Sequence, residues 1–104
     1  MILDGEIVAL GPDGRPSFNA LQNRVGLKTP KEIAQAQAES PALFMCFDLL
    51  HLAGVNLRQN PYVDRHRYLA QCLLPGPHVQ LVHLSSDAEA MYAAALEAGF
   101  EGIV

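Results

Sequence analysis

ALFMCFDLLHL, residues 42–52, is an almost unbroken apolar run. A run of this length between turn signals predicts a strand that is buried on both faces, and therefore the central strand of the fold. Pro41 ends the element before the run, and Gly54 allows a turn after it.

The sequence predicts further helices and strands on both sides of this central strand. Upstream, the sequence predicts a strand at 2–10, a helix at 17–24 with Ser17 as N-cap, and a helix at about 30–39 with a capping box of Thr29 and Glu32. Downstream, it predicts a helix at about 60–74 with Asn60 as N-cap, a strand at 79–84, a helix at 86–99 with a capping box of Ser86 and Glu89, and a strand at 101–104.

The composition limits the class of protein. The chain has 104 residues, and 7 Lys and Arg against 11 Asp and Glu give it a formal charge of -4. This length fits one domain or a piece of one, and the acidic balance disfavours direct nucleic-acid binding by these residues. Neither the two cysteines nor the four histidines have the spacing of a metal motif. With no membrane-spanning run or signal peptide recognisable, the sequence favours a soluble, cytoplasmic protein, and the family resemblance described below makes it bacterial-like.

Both ends of the sequence look like the interior of a longer chain. One strand begins at residue 2 without a preceding turn, and another begins near residue 101 without a turn after it. We therefore expect residues 1–104 to be part of a domain that is truncated at both ends. A complete small domain with terminal edge strands is the alternative.

Two carboxylates share one face of the first predicted strand. Asp4 and Glu6 are two positions apart, so alternation of side chains places them on the same face, about 7 Å apart. Such a pair can bind a metal ion or ribose hydroxyls, or act in acid–base catalysis. A solvated outer face explains the pair equally well.

Asp48 breaks the apolar pattern of the central strand. A buried carboxylate is costly unless it is paired, so Asp48 needs either a structural partner, such as backbone amides or an arginine, or a functional role. Phe47 faces the opposite way and is typical of a core residue. Glu101 opens the last strand, where junction residues often carry function, although an exposed glutamate is the commoner case. Arg65 and Arg67 are predicted to lie on a solvated helix face.

Five stretches follow one another in a specific order: L-D-G-E-I-V (3–8), D-G-R-P-S-F-N-A-L-Q-N-R (13–24), F-D-L-L-H-L-A-G (47–54), P-Y-V-D-R-H-R-Y-L (61–69) and G-F-E-G-I-V (99–104). Together they resemble the adenylation domain of ATP-dependent DNA ligases over essentially the whole chain. The first, third and fifth correspond to motifs III, IIIa and IV of the covalent nucleotidyltransferase superfamily. The stretch at 61–69 looks like the P-x-x-x-R-R-x-x-L helix of bacterial members.

The resemblance implies an α+β, ATP-grasp-like fold in which largely antiparallel strands line a nucleotide cleft. It implies that Glu6 contacts the ribose of the adenylate and that Phe47 stacks on the adenine ring. Glu101 would help to bind Mg²⁺ or another divalent cation, so that all three side chains converge on one cleft. Three further residues would position their neighbours or allow close backbone approach: Asp4, Asp48 and Gly102.

The sequence departs from the family at the nucleophile. The family's K-x-D-G lysine attacks the α-phosphorus of ATP to form lysyl-AMP, but Ile2 and Gly11 stand at its position before the two Asp-Gly pairs here. Lys28 and Lys31 do not fit the motif either. We expect the nucleophile, the motif V lysines and the oligonucleotide-binding domain to lie outside residues 1–104.

The resemblance therefore implies part of an ATP-dependent DNA ligase that seals nicks in double-stranded DNA. Its steps would be lysine adenylation, transfer of AMP to a 5′-phosphate, and attack by the 3′-hydroxyl. Two alternatives stay open: a related RNA ligase or capping-type nucleotidyltransferase, and a non-catalytic nucleotide-binding or interaction module.

Overall fold

The computed structural model of this chain describes residues 1–99. In chain order the elements are β1 (Ile2–Ala9), α1 (Phe18–Gln22), α2 (Pro30–Glu39), β2 (Ala42–Leu52), β3 (Val55–Asn56), α3 (Tyr62–Cys72), β4 (Val79–Leu81) and α4 (Ala88–Glu97). This mixture of helices and sheet confirms the α+β class. None of the helices in residues 1–99 is long and apolar enough to cross a membrane. The strand predicted at 101–104 lies outside the described residues.

β2 organises the sheet. β1 and β3 are its neighbours in the strand order, and β4 pairs with it as well. β3 runs antiparallel to the end of β2, whereas β4 runs parallel to its first half, where Cys46 pairs with Leu81. All 11 residues of β2 are buried or half-buried. The prediction of a central strand at 42–52 is therefore confirmed.

The core joins β2 to α3. Its buried cluster consists of Cys46 and Leu49 on β2, Leu57 after β3, and Leu69 on α3. Leu49 and Leu69 are fully buried, and burial of a leucine side chain stabilises a fold by about 1.5–3 kcal/mol. This cluster therefore holds α3 against the central strand.

The two helix starts predicted upstream of β2 are confirmed. Ser17 Oγ accepts a hydrogen bond from Ala20 N at 3.1 Å. Thr29 Oγ1 accepts from Glu32 N, and Glu32 Oε2 accepts from Thr29 N, each at 3.2 Å. These bonds satisfy backbone N–H groups that the first turn of a helix leaves free.

Three predicted boundaries downstream of β2 are wrong. The N-cap of α3 is Pro61 instead of Asn60. α4 is capped by Asp87 instead of Ser86, because the Asp87 carboxylate accepts a first-turn backbone N–H at 3.0 Å. β4 ends at Leu81, short of the predicted residue 84. Local sequence signals fix the ends of elements only to within a few residues.

The short strand β3 is not predicted by the sequence. A two-residue turn at Ala53 and Gly54, with φ values of 50 and 81°, reverses the chain after β2. Two successive positive φ values are typical of a type I′ hairpin, which usually has Asn-Gly or another pair rich in Gly and Asn. The turn at Gly54 was predicted, but with alanine at the first position the sequence does not indicate a hairpin that leads into a strand.

The described chain divides into two compact units. The first comprises Met1–Ile7 and Leu43–His83, and it contains α3, β3, β4 and the core cluster. The second comprises Val8–Ala42 and the chain from Leu84, and it contains α1, α2 and α4. The described candidate residues all belong to the first unit: Asp4, Glu6, Phe47 and Asp48.

Candidate functional site

β1 carries an exposed acidic pair, defined here as Asp4 and Glu6. Gly5 lies between them against β2, where an added Cβ would come within 2.6 Å of Phe44 Cζ and would also meet Met45 O. Cβ atoms essentially never approach other atoms so closely, so a larger residue would push β1 away from β2. Glycine therefore allows the acidic pair to lie close to the central strand.

Phe47 shares a face of the sheet with the acidic pair. Leu3 and Phe44 pack against the core cluster, and Cys46 belongs to it. Because side chains alternate along a strand, Asp4 and Glu6 on β1 and Phe47 on β2 lie on the face opposite to this cluster. Phe47 is half-buried, in contrast to the fully buried Cys46 beside it. The pleat therefore places Glu6 and Phe47 on the same side of two neighbouring strands.

The buried Asp48 has a structural partner on α3. Arg65 Nε donates to Asp48 Oδ1 and Arg65 Nη2 donates to Asp48 Oδ2, both at 2.9 Å. Leu49 N donates to Oδ1 at 2.8 Å, and Arg65 Nη1 donates to Asn60 O at 2.7 Å. This two-pronged pairing uses both carboxylate oxygens, which favours the structural role of Asp48 over direct contact with a ligand.

The predicted solvated position of Arg65 is wrong, and the reason is this long-range pair. The Arg65 side chain is 16% exposed, whereas that of Arg67 is 62% exposed and pairs with Asp64 on the same helix. Arg65 turns towards the protein interior because the buried Asp48 carboxylate requires a cationic partner. The prediction for Arg67 is confirmed.

The ion pair shifts the pKa of both Asp48 and Arg65. Hydrogen bonds from Arg65 lower the pKa of Asp48 below its ordinary value of 3.8, against the opposing effect of burial. The same bonds raise the pKa of Arg65. Asp48 therefore stays ionised in the folded chain at neutral pH.

This pKa shift predicts an acid-sensitive contribution to stability. Since the folded-state pKa of Asp48 is depressed, its contribution is complete above about pH 5 and is lost as the pH falls through 3.8 towards the folded value. Denaturant unfolding of the chain between about pH 5 and pH 2 should show a smaller decline in the free energy of unfolding for Asp48→Asn than for wild type. Equal declines in the two proteins would contradict the prediction.

Tyr62 is a residue that sequence reasoning missed. Its hydroxyl donates to Phe47 O at 2.7 Å, from the first turn of α3 to the middle of β2. Burial raises the pKa of Tyr62, so the hydroxyl remains protonated and able to donate. Its spacing of three from Arg65 in Y-V-D-R was the available signal, because both residues then share one helix face.

The predicted metal ligand, Glu101, is not among the residues that the structure describes, and neither is Gly102. Within residues 1–99, His, Cys, Asp and Glu side chains form no group of three or more that could hold a metal ion. The convergence of Glu101 with Glu6 and Phe47 stays a prediction.

A shallow cleft lies elsewhere, in the second unit. It has a volume of ≈ 270 Å³ and is lined by α1, α2 and the loop between them. Arg24 on its wall donates to Gln37 Oε1 and Ser40 O, each at 2.8 Å. The described candidate residues belong to the first unit, so this cleft is not part of the candidate site.

Comparison with known proteins gives one consistent result. A family described as "ATP dependent DNA ligase domain" matches residues 1–104. A "Probable DNA ligase" of Streptomyces griseus is 38% identical over 99% of this chain and 22% of its own length. A "Probable DNA ligase" of Sorangium cellulosum is 36% identical over 100% of this chain and 20% of its own length. The chain thus spans about a fifth of the length of these relatives.

A solved structure agrees with the sequence relatives. It is described as mycobacterial DNA ligase D complexed with ATP and MES, and its fold matches with a TM-score of 0.69 and 30% sequence identity. The match covers 96% of this chain and 29% of that one. The fold expected from the five sequence stretches is therefore confirmed, and the chain belongs to the family of ATP-dependent DNA ligase domains.

Proposed function

We propose that residues 1–104 form part of the adenylation domain of an ATP-dependent DNA ligase and supply one wall of its nucleotide site. The observation that carries this proposal is the placement of Glu6 and Phe47 on one face of the neighbouring strands β1 and β2. A carboxylate suits ribose hydroxyls, and an aromatic ring suits the face of a purine. The similar ligase structure with ATP supports the same assignment.

Each candidate residue has a specific role in this site. Glu6 accepts hydrogen bonds from the ribose of ATP, and the Phe47 ring stacks on adenine, outside the core cluster. Asp48 does not contact ATP. Its carboxylate accepts hydrogen bonds from Arg65, and this ion pair holds β2 in place next to Phe47. Asp4 orients Gly5 within β1, because Asp4 Oδ1 accepts a hydrogen bond from Gly5 N at 2.9 Å.

Two residues complete the proposal from the family resemblance. Glu101 contributes a hard oxygen ligand for Mg²⁺ or another divalent cation, and Gly102 lets the backbone approach the nucleotide closely. The cation would supply positive charge to the phosphates of ATP.

The activity belongs to the complete protein that contains this chain. There, a lysine outside residues 1–104 attacks the α-phosphorus of ATP, the lysine–phosphorus bond forms, and pyrophosphate leaves. AMP then passes to the 5′-phosphate of a nick in double-stranded DNA, and the 3′-hydroxyl displaces it. An oligonucleotide-binding domain in the same protein supplies contacts to DNA, and a bacterial cytoplasm is the expected location.

The missing nucleophile predicts a difference between the chain and the complete protein. Incubated with Mg²⁺ and ATP labelled at the α-phosphate, the complete protein should retain label on a denaturing gel and seal a nicked duplex. The isolated 104-residue chain should retain no label, because it has no K-x-D-G lysine.

Each arm of this experiment can contradict the proposal. Label on the isolated chain would mean that Lys28, Lys31 or another group here is the nucleophile. A complete protein that binds ATP but neither retains label nor seals nicks would favour a non-catalytic nucleotide-binding module. Sealing of nicked RNA in preference to DNA would favour an RNA ligase.

A further inference from the structure

We propose that Tyr62 is a positioning residue for Phe47, through which helix α3 sets the direction of the ring that meets the adenine base. This inference rests on the proposed function, since it assigns Tyr62 a role towards ATP. It does not follow from the family motifs quoted above, which place no role on this tyrosine.

Phe47 lies in the middle of β2, between two of the strand pairings. β4 pairs with β2 at Phe44–Cys46, and β3 pairs with it from His51 onward, so Phe47 lies between these two pairings. Cys46 and Leu49 are both fully buried in the same cluster although they are three positions apart. The pairings with β3 and β4 stop on either side of Phe47, and β1 is the other neighbour of β2.

Two side chains of α3 also contact this segment. Tyr62 Oη donates to Phe47 O at 2.7 Å, and the Arg65 guanidinium binds both oxygens of Asp48. The two contacts come from positions three apart on one helix face and reach two successive residues of β2. Together they restrain the backbone on both sides of the Phe47–Asp48 peptide bond.

The Tyr62 ring is itself held in place. The guanidinium carbon of Arg65 lies 5.4 Å from the ring centroid, and the His66 ring meets it edge-on with centroids 6.1 Å apart. His66 Nε2 in turn lies 2.6 Å from Val82 O. The Tyr62 ring therefore packs against two side chains with partners of their own, Arg65 with Asp48 on β2 and His66 with Val82, the residue after β4.

This arrangement predicts that Tyr62 affects ATP binding rather than the rate of adenylation. Fixing the carbonyl of Phe47 limits the backbone angles of that residue, and these determine where its ring points. A ring that is already aligned binds a base with less loss of conformational freedom. Loss of the hydroxyl should therefore weaken ATP binding and leave the rate of the bound complex nearly unchanged.

Tyr62→Phe tests the inference in the complete protein, because it removes one oxygen and keeps the ring. Binding is measured with an ATP analogue that has a methylene group between the α- and β-phosphorus, and single-turnover adenylation is measured at saturating ATP. We expect the dissociation constant to rise on the order of 5-fold, which is the net worth of one hydrogen bond. The adenylation rate should stay within about twofold of wild type. Tyr68→Phe, the same change six positions along α3, should alter neither quantity.

A double-mutant cycle separates positioning from a general structural effect. In a Phe47→Leu background there is no ring to align, so Tyr62→Phe should have no further effect on the dissociation constant. An equal effect in both backgrounds, or no effect in the wild-type background, would overturn the inference and leave the proposed function intact. Unchanged affinity in Phe47→Leu itself would overturn the proposed site, and the role of Tyr62 with it.

Discussion

Arg65→Met should lower the melting temperature of the chain by on the order of 10 °C. Methionine keeps an apolar stem of similar length, but it leaves the Asp48 carboxylate buried without its cation. Asp48 is only 9% exposed, so water cannot replace the two hydrogen bonds that Arg65 donates. The expected loss is large because a stranded buried charge keeps its full desolvation cost.

Arg67→Met is the matched control on the same helix. Arg67 pairs with Asp64 at 2.7 Å, but its side chain is 62% exposed. Exposed pairs contribute little, so this variant should lower the melting temperature by less than about 4 °C. Thermal unfolding followed by circular dichroism gives both values. Similar shifts in the two variants would mean that the Asp48–Arg65 pair does not anchor α3 to β2.

Phe47→Leu should weaken ATP binding to the complete protein by about 1–3 kcal/mol, or roughly 5- to 150-fold. Leucine fills a similar apolar volume but offers no aromatic face to the adenine ring. The loss should appear in the dissociation constant for the methylene ATP analogue. The adenylation rate at saturating ATP should change less, because stacking is equally strong before and during the reaction.

Phe18→Leu is the control for this second prediction. Phe18 is 65% exposed and lies on α1, which belongs to the second unit, whereas the described candidate residues belong to the first. Its replacement should leave ATP affinity unchanged. An equal loss of affinity in both variants would point to general destabilisation instead of lost stacking.

Sequence patterns predicted the parts of this fold that depend only on residues close together along the chain. The capping box of Thr29 and Glu32 forms within one helical turn, and the apolar run at 42–52 needs no partner to be recognised. The hairpin to β3 was missed because Ala53 adopts a positive φ that its side chain disfavours. Here the surrounding sheet overrides the local preference.

The residues of the candidate site also fall into two groups: those that the sequence marks and those that only the fold identifies. Glu6, Phe47 and Asp48 stand out from the sequence, because motifs or a broken apolar pattern mark them. Arg65 and Tyr62 do not, because their partners lie on β2, 17 and 15 positions away along the chain. Only the packing of α3 against β2 shows which arginine of R-H-R turns inward and which remains in solvent.

The most direct test of the proposed nucleotide site is a crystal structure of the complete protein with ATP bound. We expect the adenine ring to stack on the Phe47 ring, with centroids about 4.5–7 Å apart, and a ribose hydroxyl to lie within hydrogen-bond distance of Glu6. Adenine bound away from Phe47, with Glu6 pointing into solvent, would contradict it.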